Sequence, residues 1–380
     1  MSVPALKKYG CFSVHDSGAP HGHREYTTLI IFHGLGFHAS IFDKLFSLLD
    51  NVNVRLVTAN RPDYPGATPL TEKERMQLHD IAKTADQDPQ SATNAFHDYI
   101  KENAKKTHDF LVEFISRESI PAGGGIILAG WSFGAISILG LLANANAVSS
   151  KEFDLRSYIK HVVLYGERLD GVRGSLRAKL MGISTPPEPP AFLLGYPPPP
   201  DVVNIFFDPS LTPGEALKRF PQWVSAYYAH REDPTKLEYE ALDHPSPTIL
   251  SMDPSDVQRC LEIGPALPGG SDDQVMRLGV QLGALSQLRE AAIYLGKDEE
   301  GDVPVVNRWD DIEIKHVWCD RSMWEMPWAA LCLQADLDDG KKSDRVARKV
   351  DIVRLSGANH FCHWDQPELA LKGLLSGLDL

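Results

Sequence analysis

The chain has 380 residues, 43% hydrophobic and 23% charged, so it can bury the core of one large domain or of two ordinary ones. Its formal net charge of −13 at neutral pH argues against binding to nucleic acids or anionic membranes, since both would repel it. The five cysteines lack metal-ligand spacing, so we expect free thiols, no metal and no cofactor. No signal peptide is apparent, and the most apolar window, 126–148, is too interrupted to span a membrane; we expect a cytoplasmic protein.

The first part of the chain alternates short apolar runs with segments of helical periodicity. β-branched and apolar residues predict strands at 27–32 and 52–59, and apolar residues at helical spacing predict helices at 40–49 and 91–117. The first strand runs directly into the glycine turn His33-Gly34-Leu35-Gly36. Strands that alternate with helices predict an α/β protein with a mostly parallel sheet, covered by helices on both faces.

A strand, a sharp turn and a helix follow one another within 123–136. An apolar run too short for a helix leads into Gly130-Trp131-Ser132-Phe133-Gly134, and helix-forming residues come next. This is the G-x-S-x-G pattern, in which flanking glycines leave room for a tight turn that presents the serine at a helix N-terminus. Ser132 is therefore a candidate nucleophile.

The pattern changes after a predicted strand at 159–165. Eight of the fifteen residues from 186 to 200 are proline, which excludes a helix interior or a central strand there. Aromatic residues lie among and beyond the prolines, and a capping box at 271–274 precedes an apolar helical pattern. We expect residues 166–308 to form a helical and proline-rich insertion.

The α/β pattern resumes with a predicted strand at 312–319, which stops at Asp320. We expect the polar stretch 336–345 to be a surface loop. The last predicted strand, 349–355, ends at Gly357-Ala358-Asn359-His360, and a helix at 367–378 closes the chain.

Ser132, Asp320 and His360 all follow predicted strands, and in α/β sheets functional groups lie at the carboxyl ends of strands. Their order along the chain is nucleophile, acid, histidine. With the His33-Gly34-Leu35-Gly36 turn, these motifs resemble the α/β-hydrolase superfamily, of the serine-nucleophile type with a large cap domain. The resemblance implies a hydrolase core at 1–165 and 309–380, and a cap or lid at 166–308.

The resemblance also implies roles for individual residues. Ser132 would attack a carbonyl, His360 would carry the proton, and Asp320 would orient the imidazole. The backbone N–H groups of Leu35 and Phe133 would form the oxyanion hole. Glu167 is the alternative acid, because some relatives place their carboxylate after the preceding strand, and His363 is the nearest alternative to His360. Arg61 and Asp63 are expected to tie a loop together.

We call the predicted turn at 130–134 the elbow. A serine at its centre excludes the aspartate-nucleophile epoxide hydrolases and haloalkane dehalogenases of this fold. We expect a carboxylesterase-like enzyme acting on a small to medium apolar ester. An aminopeptidase, a carbon–carbon bond hydrolase, a hydroxynitrile-lyase-like enzyme and a non-catalytic ligand receptor remain alternatives. Four aromatic residues are candidates for the pocket wall: Trp131, Phe37, Tyr196 and Trp223. The sequence does not indicate the oligomeric state.

Overall fold

The computed structural model describes residues 3–150, 152–166, 199, 204–230, 236–295 and 309–378. Within these residues, eight strands form one sheet in the order β1-β2-β4-β3-β5-β6-β7-β8. The strands are β1 (Lys7–Tyr9), β2 (Phe12–Asp16), β3 (Thr27–Phe32), β4 (Val54–Asn60), β5 (Ile126–Trp131), β6 (Ile159–Tyr165), β7 (Glu313–Cys319) and β8 (Val350–Leu355). From β4 to β8 all neighbours are parallel, whereas β1 and β2 form an antiparallel edge.

Helices connect these strands in the described part of the chain. They are α1 (Asp43–Phe46), α2 (Glu72–Thr84), α3 (Pro89–Glu118), α4 (Ala135–Ala143), α5 (Ala145–Val148), α6 (Pro213–Ser225), α7 (Thr248–Ser251), α8 (Pro254–Cys260), α9 (Ser271–Gln281), α10 (Ala284–Ile293), α11 (Glu325–Lys342), α12 (Cys362–Asp365) and α13 (Pro367–Leu374). Short 3₁₀ turns occur at Ala39–Phe42, Leu49–Asn51, Ser132–Gly134, Leu155–Tyr158, Ile205–Phe207 and Gly264–Ala266.

The central strands are covered on both faces. Every residue of β3, β4 and β5 is buried, which explains why these strands read as continuous apolar runs and not as alternating ones. Helices α3, α4 and α10 contact one another in one layer, and α1, α12 and α13 form another group of contacts. The predicted α/β class, with a mostly parallel sheet covered by helices on both faces, is confirmed.

Most predicted elements are observed with shifts of up to four residues at their ends, but two expectations were wrong. The polar stretch 336–345 is mostly helical, because α11 continues through Lys342. The capping box expected at 271–274 does not form: Gly270 is the N-cap residue of α9, and the Gln274 side chain donates to the carbonyl oxygen of Gly269. The β1–β2 hairpin, α2 and α11 were not predicted.

The described part of the insertion is helical, from α6 to α10, and it lies between β6 and β7 as expected. Most of its proline-rich segment, 186–198 and Pro200, lies outside the described residues, as does Tyr196.

Candidate active site

Ser132 lies at the turn between β5 and α4, and its backbone is left-handed, with φ of 52°. A non-glycine residue pays a conformational cost in this region, so the surrounding structure must hold it there. The side chain is partly exposed, and the Ser132 hydroxyl makes no hydrogen bond with the described residues. The turn thus presents a serine hydroxyl at the carboxyl end of a central strand.

The two glycines of the motif are required by space. A Cβ atom at Gly130 would lie 2.6 Å from the Cα of Ala135, and one at Gly134 would lie 2.4 Å from the carbonyl oxygen of Phe32. Both contacts are with backbone, which cannot move aside as a flexible side chain can. This confirms the reason for expecting glycine at both positions.

The loop His33–Phe37, which we call the oxyanion loop, lies directly against the elbow. A Cβ atom at Gly34 would be 3.0 Å from the Cβ of Ser132. The N–H of Leu35 donates no hydrogen bond within the described structure. Phe133 follows Ser132 in the first turn of a helical segment, where backbone N–H groups have no partner from a preceding turn. Both predicted oxyanion donors therefore belong to segments adjacent to Ser132.

His360 follows β8 and is 1% exposed. Burial lowers the pKa of its imidazole to about 3, and neither ring nitrogen has a hydrogen-bond partner among the described residues. Its ring lies 5.0 Å from that of Trp131, the residue before Ser132. The structure thus places a neutral imidazole beside the elbow.

Asp320 lies at the end of β7, as predicted, but its carboxylate bonds to other groups. It accepts hydrogen bonds from Arg354 Nε at 2.9 Å, from the Ser356 hydroxyl at 2.9 Å and from the backbone N–H of Gly357 at 2.7 Å. The structure does not join Asp320 to His360 by a hydrogen bond.

The alternative acid, Glu167, lies outside the described residues. The residue before it, Gly166, is described: a Cβ atom at Gly166 would lie 2.9 Å from Nδ1 of His360. The carboxyl end of β6 therefore lies so close to the imidazole that position 166 has no room for a side chain.

His363, the alternative histidine, is fully buried beneath the site. Its Nδ1 is hydrogen-bonded with the Tyr165 hydroxyl at 3.3 Å, and its ring lies 4.6 Å from that of Trp131. The imidazole packs among aromatic rings, and this environment lowers its pKa through burial and through the nearby His360. This position fits a packing role.

The candidate pocket residues are mostly packed in the protein interior. Trp131 and Phe37 are each 1% exposed and contact each other with ring centroids 6.3 Å apart. Trp223 is partly buried beside Phe220. A separate cavity of about 80 Å³ lies behind the elbow, and neither Ser132 nor His360 lines it. Its walls include Phe133, Ile136, Tyr99, Ser271 and Val275.

The insertion contacts the loop that carries His360. Asn359, fully buried, donates through its side-chain amide to the carbonyl oxygen of Ser225 and to the hydroxyl of Thr248, both at 2.7 Å. Asp365 accepts hydrogen bonds from the hydroxyls of Tyr227 at 2.7 Å and Thr248 at 2.5 Å.

The insertion also contacts the other loops at this edge of the sheet. The N–H of Glu262 donates to the carbonyl oxygen of Gly36, and that of Tyr228 donates to the carbonyl oxygen of Arg321. Sequence reasoning missed these contacts, because no local pattern links residues more than 90 positions apart.

A further contact joins the oxyanion loop to the insertion through a buried ion pair between Arg61 and Asp272. Arg61 was expected to tie a loop, on the basis of the family resemblance and of the Pro- and Gly-containing loop after β4. Sequence reasoning identified Asp272 only as part of the predicted capping box at a helix N-terminus. Asp63 does tie its loop, since it accepts hydrogen bonds from the N–H of Leu70 and from Arg75.

The described residues contain no group of side chains with the arrangement of a metal site. Within the same residues, no helix is both long enough and apolar enough to cross a membrane.

Comparisons with known proteins place this geometry in a family. No curated protein matches the sequence significantly. Among solved structures, a laboratory-evolved variant of potato epoxide hydrolase StEH1 is similar over 98% of this chain and 97% of its own, with 12% identity and a TM-score of 0.49. A thioesterase domain from the curacin biosynthetic pathway aligns over 99% and 100%, with 15% identity and a TM-score of 0.46.

The carboxylesterase CesB (YbfK) from Bacillus subtilis aligns over 100% of this chain and 93% of its own, with 13% identity and a TM-score of 0.43. The family model described as the alpha/beta hydrolase family matches residues 29–371. This chain belongs to the alpha/beta hydrolase family.

Proposed function

We propose that the protein is a serine hydrolase that cleaves small to medium, largely apolar carboxylic esters. The observation that carries the proposal is the left-handed backbone of Ser132, at a turn whose flanking glycines have no room for a side chain. A strained non-glycine residue persists only where the surrounding structure enforces it, and such residues cluster at active sites. Ser132 is therefore proposed as the nucleophile.

In the proposed reaction, Ser132 Oγ attacks the ester carbonyl while His360 accepts the hydroxyl proton. The carbonyl electron pair moves to the oxygen, which accepts hydrogen bonds from the N–H groups of Leu35 and Phe133. Collapse of this intermediate expels the alcohol, which takes the proton from His360. Water then repeats the sequence and releases the acid. Burial lowers the pKa of His360, so its imidazole is unprotonated at pH 7, and the proposed carboxylate is needed to raise its basicity enough to accept the proton.

The proposed acid is Asp320, with Glu167 as the alternative. Asp320 is supported by its place at the end of β7 and by its hydrogen bond from Gly357, three residues before His360. The role requires its carboxylate to turn from Arg354 toward the imidazole. The approach of Gly166 to His360 Nδ1 supports Glu167.

We further propose that residues 166–308 act as a lid domain inserted into a core formed by 1–165 and 309–380. Hydrogen bonds that link the insertion with the oxyanion loop, with Arg321 and with Asn359 support this, because all three lie at the carboxyl edge of the sheet. The lid would set acyl or alcohol preference, with Trp223 and Tyr196 as candidate wall residues.

A second candidate function is a ligand receptor that turns over slowly or not at all. The observation that favours it is the absence of any hydrogen bond to the His360 ring among the described residues. An imidazole without an orienting acid is a poor proton shuttle.

A fluorophosphonate label, followed by esters of increasing acyl length, distinguishes the two. The hydrolase proposal requires labelling of Ser132, loss of the label in Ser132→Ala, and turnover of at least one ester. Ser137→Ala, a change five residues along the same helical segment, is the matched control and should label normally. Absence of labelling in the wild-type protein, with retained binding of an apolar ligand, would favour the receptor.

A further inference from the structure

The ion pair between Arg61 and Asp272 is bidentate and almost fully buried. Arg61 Nη1 donates to Asp272 Oδ1 at 2.8 Å and Nη2 donates to Oδ2 at 2.7 Å. The two side chains are 10% and 6% exposed. Burial by itself would lower the pKa of Arg61, but the charge and hydrogen bonds of Asp272 more than offset it and raise that pKa. The Arg61 guanidinium therefore remains charged inside the protein.

The remaining donors of the Arg61 guanidinium bind the oxyanion loop. Nε donates to the carbonyl oxygen of His33 at 3.3 Å, and Nη2 donates to that of Gly34 at 3.0 Å. The backbone N–H of Arg61 also donates to Nε2 of His33 at 3.1 Å. One arginine thus holds two consecutive carbonyl groups and one side chain of the segment immediately before Leu35.

The other side of Leu35 is held through Tyr64. The Tyr64 hydroxyl donates to Asp272 Oδ2 at 2.7 Å and accepts from the N–H of Gly36 at 3.3 Å. Asp272 is therefore the common partner of the groups that hold both flanks of Leu35. The N–H of Leu35 between them donates to no group of the described structure.

The energetics argue that this pair does more than stabilise the fold. Removing two charges from water costs free energy that their attraction only partly returns, and apolar replacements of buried ion pairs are often as stable. The pair fixes the orientation of the groups that it bonds, because a planar guanidinium sets the direction of each hydrogen bond that it makes. Its targets are the peptide groups beside a proposed oxyanion donor.

We propose that Arg61 and Asp272 are positioning residues that orient the Leu35 N–H toward the oxyanion and couple the lid to the oxyanion hole. This inference rests on the proposed function. Asp272 belongs to α9 of the insertion and Arg61 follows β4 of the core, so a displacement of α9 would be transmitted to the oxyanion loop through the hydrogen bonds of Arg61. The lid would thereby affect catalysis as well as substrate choice.

The test is the variant Asp272→Asn, which keeps an acceptor oxygen but leaves the buried Arg61 charge uncompensated. We expect kcat for an ester to fall about 10²-fold with KM changed by less than about threefold, as when one oxyanion donor is lost. The affinity of a boronic acid, whose tetrahedral serine adduct carries an oxygen in the oxyanion hole, should fall by a similar factor.

The protein offers a control in a second buried bidentate pair, Arg55 and Asp16, in which Arg55 also donates to Glu118 at 2.6 Å. Arg55 Nε and Nη2 donate to Asp16 at 2.8 and 2.6 Å, and these side chains are 3% and 0% exposed. This pair joins β4 to β2 and touches no loop of the site. Asp16→Asn should lower the melting temperature but leave kcat and boronic acid affinity unchanged.

The apolar double variant Arg61→Met/Asp272→Leu separates positioning from stability. It leaves no unpaired buried charge, so the melting temperature should recover relative to Asp272→Asn. Positioning predicts that kcat stays low in the double variant. Recovery of kcat together with the melting temperature would overturn the inference.

Hydrogen exchange gives a readout that does not depend on activity. Asp272→Asn should speed amide exchange across the oxyanion loop, residues 33–37, and Asp16→Asn should not. Unchanged exchange there would also overturn the inference. Failure of the proposed function is recognised separately, because the fluorophosphonate would then not label Ser132 of the wild-type protein. The exchange result would still decide the positioning role.

Discussion

The indole N–H of Trp131 donates a hydrogen bond of 3.2 Å to the carbonyl oxygen of His360. Trp131 immediately precedes Ser132, so this bond ties the elbow to the loop that carries the histidine. The two rings also face each other at 30°. The residue that sequence reasoning placed in the pocket wall thus holds the two proposed catalytic segments together.

Trp131→Phe should keep most of the ring packing but lose this hydrogen bond. We expect a loss of about 1 kcal/mol of unfolding free energy. We also expect a lower kcat, because the His360 main chain is less well held. Urea unfolding and ester kinetics measure the two effects. A variant with wild-type kcat and lowered stability would restrict Trp131 to a packing role.

Ser132→Ala should lower kcat by roughly 10⁵- to 10⁶-fold, because the nucleophile is removed. Steady-state kinetics on the best ester of the series measure this loss. Wild-type activity in the variant, or a label on a different residue, would contradict the assignment of Ser132.

Asp320→Asn and Glu167→Gln, compared directly, identify the acid. We expect the Asp320 variant to lose about 10⁴-fold in kcat. A carboxylate near His360 raises the pKa of the imidazole, so its removal should also move the acid limb of the kcat/KM profile to lower pH. If the larger loss and the pH shift belong to Glu167→Gln, the role passes to Glu167.

His316 on β7 provides a test of pH-dependent stability. It is fully buried, its ring has no hydrogen-bond partner among the described residues, and burial lowers its pKa to about 3. An unfolded chain has a histidine pKa of about 6.5, so between these values the unfolded state binds more protons. Unfolding free energy is therefore unaffected by His316 above pH 6.5 and falls as the pH drops below it.

His316→Leu should reduce the slope of unfolding free energy against pH by up to about 1.4 kcal/mol per pH unit below pH 6.5. Urea unfolding between pH 7.5 and 4.5 measures the slope. His21→Ala, at an exposed position, is the control and should keep the wild-type slope. An unchanged slope in His316→Leu would contradict the expectation.

Trp223→Ala and Tyr196→Ala test the lid. If these aromatic residues line the pocket, kcat/KM should change unequally across an ester series, because each ester fills the pocket differently. A uniform loss on every ester, with a lowered melting temperature, would mean that they form the interior of the insertion.

The sequence by itself determined the positions of the main core strands along the chain and of the elbow, because these depend on local patterns. Apolar runs such as 126–129 are too short for a helix and predict buried strands, and Gly130 and Gly134 flank Ser132 in the sequence. The sequence also located the insertion between the strands at 159–165 and 312–319. By contrast, the C-terminal part of helix α11 was wrongly predicted to be a surface loop, because an exposed helical face carries the same polar residues as a loop.

Only the tertiary structure decided which distant groups meet. Arg61 and Asp272 are 211 positions apart, and Trp131 and His360 are 229 apart, so no local pattern could pair them. The same holds for Asp320, whose end-of-strand position was predicted but whose carboxylate is bound by Arg354 and Gly357. Strand ends bring side chains to a common edge, but charge pairing and burial determine which of them bond.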